Sequence, residues 1–347
     1  MPKPRKQLVA LDATPYYHCV SRCVRRAFLC GQDEQGRSFE HRRGWIEKLI
    51  LDQAQVFCID IAAYAVMSNH FHVVLHVNQK NIKQLSDLDV VSRWHRLYKG
   101  NVISQKFERG ETLSPTQELL LADLIEEWRD RLTSISWFMR RLNETVARLA
   151  NEEDQCTGHF WEGRFKSQAL LDEKAVAACM AYVDLNPVRA AMAKTPEESE
   201  HTSVKKRAEK AKEAHSPNHP KQQAFGLLPF AGNPRQDMPE GIQMRLTDYL
   251  DLVDWTGRQI RDNKRGSISE AEPAIMNRLG IDSEHWLYIT QNFESEFKGI
   301  VGAVNEVKSK ISQFWDGQRE RRRAAGIAAC KLRLSLAPVD NNFSPSE

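Results

Sequence analysis

The stretch 63–77, AYAVMSNHFHVVLHV, constrains this chain more than any other. Two apolar runs, one of them the segment 58–67, flank Ser68 and Asn69, which are turn formers. The pair therefore reads as an antiparallel β-hairpin. Side chains alternate along a strand, so His70 and His72 share one face while Phe71 points to the other. Two imidazoles on one face can share a cation, and each is equally compatible with an ordinary polar position on a half-wet sheet. His76 lies on the same face but about 13 Å beyond His72, at ~3.3 Å per residue, too far to serve the same ion.

The flanking segments extend this hairpin into a domain. From Pro15, PYYHCVSRCV is aromatic and β-branched enough for a first strand. The segment 40–57 sets Trp45, Leu49, Ile50 and Val56 on one helical stripe, and 134–151 does the same with Ile135, Phe138, Leu142, Val146 and Leu149. HFWEGRFKSQALL (159–171) reads as a further strand. A helix then starts at Asp172, where Asp172 and Glu173 suit a helix N-terminus, and stops near Pro187. The order strand, helix, strand, strand, helix, strand, helix predicts an α+β domain with a ferredoxin-like (RRM-like) antiparallel sheet and helices on one face. That domain spans 1–195 and carries an insertion at about 80–133, long enough to hold helices of its own. Charged, proline-containing sequence at 196–224 reads as a linker or exposed helix. The region 225–347 is mainly helical, with its best segment at 246–262 and a possible role in DNA binding.

Composition excludes several classes. Hydrophobic residues make up 41% and charged residues 27%, as in ordinary globular proteins. No apolar run approaches the ~20 residues needed to span a bilayer, and the N-terminus lacks a secretory core, so no membrane partner and a cytoplasmic, nucleoid-associated location are expected. The seven cysteines are scattered without a paired zinc-knuckle spacing and are expected to be free thiols. The net charge of +3 is uneven: residues 1–50 hold ten Lys/Arg against five Asp/Glu, and 317–333 hold six against one. Such patches suit a polyanion, although a solvated helix face accounts equally well for any one of them.

Tyr182 and Asn186, in YVDLN, are four apart and would share a helix face. Two imidazoles and the neutral oxygen of Asn186 could hold a divalent ion with positions left open for phosphate oxygens. A tyrosine beside that ion could attack phosphorus and keep the bond energy in a phosphotyrosine, which allows strand breakage followed by rejoining. Each residue also has a plain structural reading. Tyr182 can be a core residue, Asn186 a helix terminator before proline, and Arg189 and the cations of GRFK (163–166) surface charges.

SNHFHVVLHV resembles the His-hydrophobic-His signature of single-tyrosine HUH transposases. GHFWEGRFKSQALLDEKAVAACMAYVDLNPVRAAM resembles the tyrosine-bearing segment of REP-associated tyrosine transposases, and YYHCVSRCVRRAFLC resembles their first strand and turn. The resemblance covers about residues 14–195. It implies that His70 and His72 are metal ligands with Asn186 as the third, binding Mg²⁺ or Mn²⁺. It further implies that Tyr182 is the nucleophile of a 5′-phosphotyrosine link to single-stranded or hairpin DNA, contributed in cis or in trans by a monomer or homodimer. Arg22, Arg25, Arg26, Arg164, Lys166 and Arg189 would line the path of the DNA backbone. The basic arm 2–6 and QRERRR (318–323) are further candidates for DNA contact. The insertion and the region after 200 depart from a minimal domain of this family. Two other readings share these features: a non-catalytic nucleic-acid-binding protein, and a metal-dependent phosphodiesterase that uses water.

Overall fold

The structure, a computed structural model, describes residues 8–24, 29–32, 35–232, 240–261, 273–297 and 299–314. Its centre is a five-stranded sheet. Strand β1 (Tyr16–Arg22) leads through helix α1 (His41–Ala54) to β2 (Ile59–Val66) and β3 (His70–Val77). Four short to medium helices follow: α2 (Gln79–Gln84), α3 (Asp87–His95), α4 (Val102–Glu108) and α5 (Pro115–Leu132). Then come α6 (Ile135–Glu153), β4 (Lys166–Leu170), α7 (Glu173–Asp184), α8 (Asn186–Arg189) and α9 (Ser203–Glu213). The remainder is α10 (Leu246–Arg261), α11 (Ala274–Leu279), α12 (Ser283–Glu296), β5 (Ile300–Val301) and α13 (Val304–Lys310).

The strand order is β2-β3-β1-β4-β5. The first four strands are antiparallel neighbours and form the expected ferredoxin-like arrangement, with β2 and β3 as its hairpin. The short β5 adds in parallel beside β4, so the sheet is mixed rather than purely antiparallel. Period-2 alternation divides the strands between two cores. Tyr17 and Cys19 of β1 with Phe71, Val73 and Leu75 of β3 pack under α1 and α6, through Ile46, Ile50, Phe138 and Leu142. This is the crossover pair of helices on one face. The insertion joins the same core: Val90, Val91 and Trp94 of α3 and Trp128 of α5 are buried there, with the Trp94 and Trp128 rings stacked at 5.5 Å. It is a helical annex of the first core.

The opposite face is covered as well, which differs from a sheet with helices on one side only. Ala62, Ala63 and Ala65 of β2, Val74 and Leu170 pack against α7. A register shift between Ile61 and Ala63 puts two successive alanines on this side. Helix α7 is apolar around its whole circumference, and every residue from Ala175 to Asp184 is buried. A helix of that composition needs cover on its outer side. Helix α12 supplies it through Trp286, Ile289 and Phe293, in the same core as Leu252 and Val253 of α10.

The segment read as a charged linker is instead docked on this face. Thr202 bridges Ala65, Ser203 Oγ accepts from the Tyr64 N–H at 3.0 Å, and Arg207, fully buried, donates to the carbonyls of Ala62 and Leu228. The fixation explains why so polar a sequence is ordered: its cations and hydroxyls meet main-chain groups of an edge strand. The six cysteines among the described residues form no disulfide with one another, and no described helix is long and apolar enough to cross a membrane.

Candidate active site

His18, His72 and Gln168 lie on adjacent strands β1, β3 and β4, on the face that meets α7. Arg22 stands opposite His70 in the register, and Val20 stands opposite His72 and Lys166. The His70 and His72 rings are 4.8 Å apart between centroids, so the pair does share one face. The neighbour that sequence reasoning missed is His18. Its ring lies edge to edge with that of His72, nearly coplanar and 5.2 Å away between centroids, and its Nε2 lies 2.9 Å from His72 Nδ1. His18 Nδ1 is in turn 2.6 Å from Gln168 Oε1, and the Gln168 amide donates to the Phe297 carbonyl. The signal was present in YYHCV as a polar residue at an inward position, but strand pairing is needed to bring it to His72.

Burial holds these imidazoles neutral. His18 and His72 are completely buried, which lowers both pKa values, that of His72 well below the ordinary range. His70 is pushed down to about 4, chiefly by burial and then by the charge of Arg22. Its Nδ1 is bonded to Asn69 Oδ1 at 2.6 Å. His72 Nε2 is buried and has no hydrogen-bond partner among the described residues.

Tyr182, on the last turn of α7, faces the histidines. Its ring lies 5.7 Å from His72 and 6.2 Å from His18, edge-on to both. The Arg189 guanidinium sits 4.0 Å above the ring centroid, a cation–π contact. Phe293 packs beside it at 5.5 Å, and Tyr182 Oη donates to Glu294 Oε2 at 3.3 Å. Burial raises the phenol pKa. Arg189 works against that rise and Glu294 adds to it. Phe293 and Glu294 come from α12, more than a hundred residues downstream, and no local pattern in the sequence marks them.

Asn186 does not close α7 as a terminator. Helix α7 ends at Asp184, and Asn186-Pro187 opens the short α8, a position that suits proline because its missing N–H is not needed there. Its carboxamide Oδ1 accepts from Arg189 Nη2 at 2.5 Å, and its Nδ2 is buried without a partner among the described residues. The oxygen expected to be the third ligand is thus engaged by a cation in this arrangement. Among the described residues no group of three or more His, Cys, Asp or Glu is disposed to hold a metal. What the site does offer an ion is the orphaned His72 Nε2, the adjacent His70 and no carboxylate ligand set. That sparse, neutral donor set would hold a divalent ion only weakly and would leave coordination positions open. Imidazole donors favour Mn²⁺ over Mg²⁺ in such a role.

The cations gather at the same end of the sheet. Arg22 is partly exposed and its charge acts on both His70 and His72. Lys166 is exposed and reaches Glu294 Oε1 at 3.7 Å. Arg164 is exposed on the loop that runs beside β1, where the Glu162 N–H donates to the Arg22 carbonyl. Arg25 and Arg26, the arm 2–6 and the run 318–323 lie outside the described residues. His76 is taken up by Asp60, 2.9 Å away, and by the Tyr16 ring.

No family model matches the chain, and no curated protein matches it. Among solved structures, a REP-associated tyrosine transposase bound to a REP hairpin matches with 11% sequence identity and a TM-score of 0.36, over 60% of this chain and 86% of that one.

Proposed function

We propose that this chain nicks single-stranded DNA and transfers the cut strand through a phosphotyrosine at Tyr182, with a divalent ion held by His70 and His72. The observation that supports this reading is the meeting of three groups in one place: a phenol, an imidazole with an orphaned ring nitrogen, and a guanidinium over the phenol ring. In the proposed step Tyr182 Oη bonds to phosphorus and the P–O3′ bond breaks. The products are a 5′-phosphate ester on tyrosine and a free 3′-hydroxyl. The phenol proton leaves to solvent before the attack, so the phenolate is the nucleophile. A bound divalent ion would neutralise phosphate oxygens and polarise the phosphorus. Rejoining is the reverse attack by a 3′-hydroxyl and needs no nucleotide cofactor.

Palindromic hairpin DNA is the substrate class that follows from the resemblance, and the exposed cations at this sheet end would hold its backbone. Tyr182 is only 6% exposed, so Phe293 and Glu294 on α12 have to draw aside for a strand to enter. The test is nicking of end-labelled single-stranded hairpins in Mn²⁺, followed on denaturing gels. Wild type should cut, and Tyr182→Phe and His72→Ala should lose at least about 10³-fold, the scale on which removal of a nucleophile acts. Cutting by Tyr182→Phe at the wild-type rate would point to water as the nucleophile. Tight binding without cutting under any metal would leave a nucleic-acid-binding protein.

A further inference from the structure

The hydrogen bonds around His72 fix which of its ring nitrogens carries the proton. A main-chain carbonyl can only accept, so the Phe297 carbonyl fixes which end of the Gln168 amide faces it: the NH₂. Gln168 Oε1 is then the atom turned to His18 Nδ1, 2.6 Å away, and it too can only accept. His18 Nδ1 therefore carries the hydrogen. In a neutral imidazole the other nitrogen is then a lone pair, so His18 Nε2 accepts from His72 Nδ1–H at 2.9 Å. The same rule leaves His72 Nε2 as a bare lone pair, and this buried atom has no hydrogen-bond partner among the described residues. Both rings are fully buried, which removes the doubly protonated alternative.

We infer that Gln168 and His18 are positioning residues that lock His72 in the Nδ1–H tautomer, so that its Nε2 is held open as an electron-pair donor for a divalent cation. The chain of contacts runs across three strands, β4 to β1 to β3, and is anchored on the carbonyl just beyond α12. Outer-shell hydrogen bonds of this kind set ring orientation and donor strength in histidine ligands. A free neutral imidazole prefers the opposite tautomer, so the arrangement is a property of the fold and can be read directly. The use of the lone pair rests on the metal reading given above, but the tautomer does not.

The experiment is a long-range ¹H–¹⁵N correlation spectrum of the metal-free full-length protein labelled at histidine, with His72 assigned by the signal lost in His72→Gln. In wild type, His72 is expected to show a protonated Nδ1 and an unprotonated Nε2. Gln168→Met removes the acceptor at the start of the chain and should return His72 toward the Nε2–H form. It should also weaken Mn²⁺ binding, followed by the paramagnetic loss of the His72 signals, by about ten- to a hundredfold. A wild-type spectrum with hydrogen on Nε2 would overturn the inference, even if every variant failed to fold. So would Gln168→Met with an unchanged His72 tautomer. Should wild type show the expected tautomer while Mn²⁺ leaves the His72 signals untouched, the positioning holds and the metal-dependent function is the part that fails.

Discussion

Burial raises the pKa of the Tyr182 phenol, and the Arg189 guanidinium above its ring opposes that rise. A phenol held above its ordinary pKa is almost entirely protonated at neutral pH. The nicking rate should therefore climb with pH through the neutral range and level off only where the tyrosine has titrated. Arg189→Leu takes away the opposing cation, so the phenol pKa rises further and the climbing limb moves to higher pH. At pH 7 the single-turnover rate should drop on the order of tenfold for each unit of that movement, with wild type and variant converging at alkaline pH. Arg189→Lys keeps the charge and should hold most of the wild-type profile. Equal loss at every pH would assign Arg189 to holding Asn186 in place, through its 2.5 Å bond, and not to the phenol.

At the scale of elements, the site depends on where α7 begins and what covers it. Asp172 accepts from the Ala175 N–H at 2.8 Å with Oδ1 and from the Ala303 N–H at 2.5 Å with Oδ2. One carboxylate thereby caps α7 and ties it to the segment after β5. Asp172→Ala should cost roughly 2 kcal/mol, the upper part of the range for an N-cap, measured by chemical denaturation. A loss below a few tenths of a kcal/mol would mean the cap is not what fixes α7. The start of this helix was legible because Asp172 and Glu173 precede an alanine-rich apolar run, and the hairpin was legible because Ser68-Asn69 interrupts two apolar runs. The pairing of His18 with His72 was not, since strand order is a long-range fact and the two residues are 54 positions apart in the chain. The cover on α7 was hidden for a related reason: the continuous apolar circumference of α7 says that something must pack outside it, but not that α12 does. In 196–224 polar composition pointed to a linker because local charge does not reveal that Ser203 and Arg207 are spent on the main chain of β2 and its neighbour.

The molecule as a whole joins a four-stranded antiparallel core to a helical region that closes over the same face, so the candidate site lies between the sheet and its own C-terminal cover. Arg22, Arg164, Lys166 and Arg189 are the described cations proposed to meet the DNA backbone. Four phosphate contacts on a single strand give log K against log salt a slope of about −3, at ~0.7 per contact. Replacing both Arg164 and Lys166 by Ala should flatten that slope by about 1.4 and leave sequence preference unchanged. An unaltered slope in fluorescence-anisotropy titrations would place the DNA on another surface. The central claim, that Tyr182 forms the covalent bond to DNA, is tested most directly by mapping the adduct. Protein, Mn²⁺ and a single-stranded hairpin are incubated, digested with trypsin and nuclease, and examined by tandem mass spectrometry. The account predicts a nucleotide 5′-phosphate on Tyr182 within the tryptic peptide 175–189, absent in Tyr182→Phe. Cleaved DNA with that peptide unmodified, or with the phosphate on another residue, would contradict it.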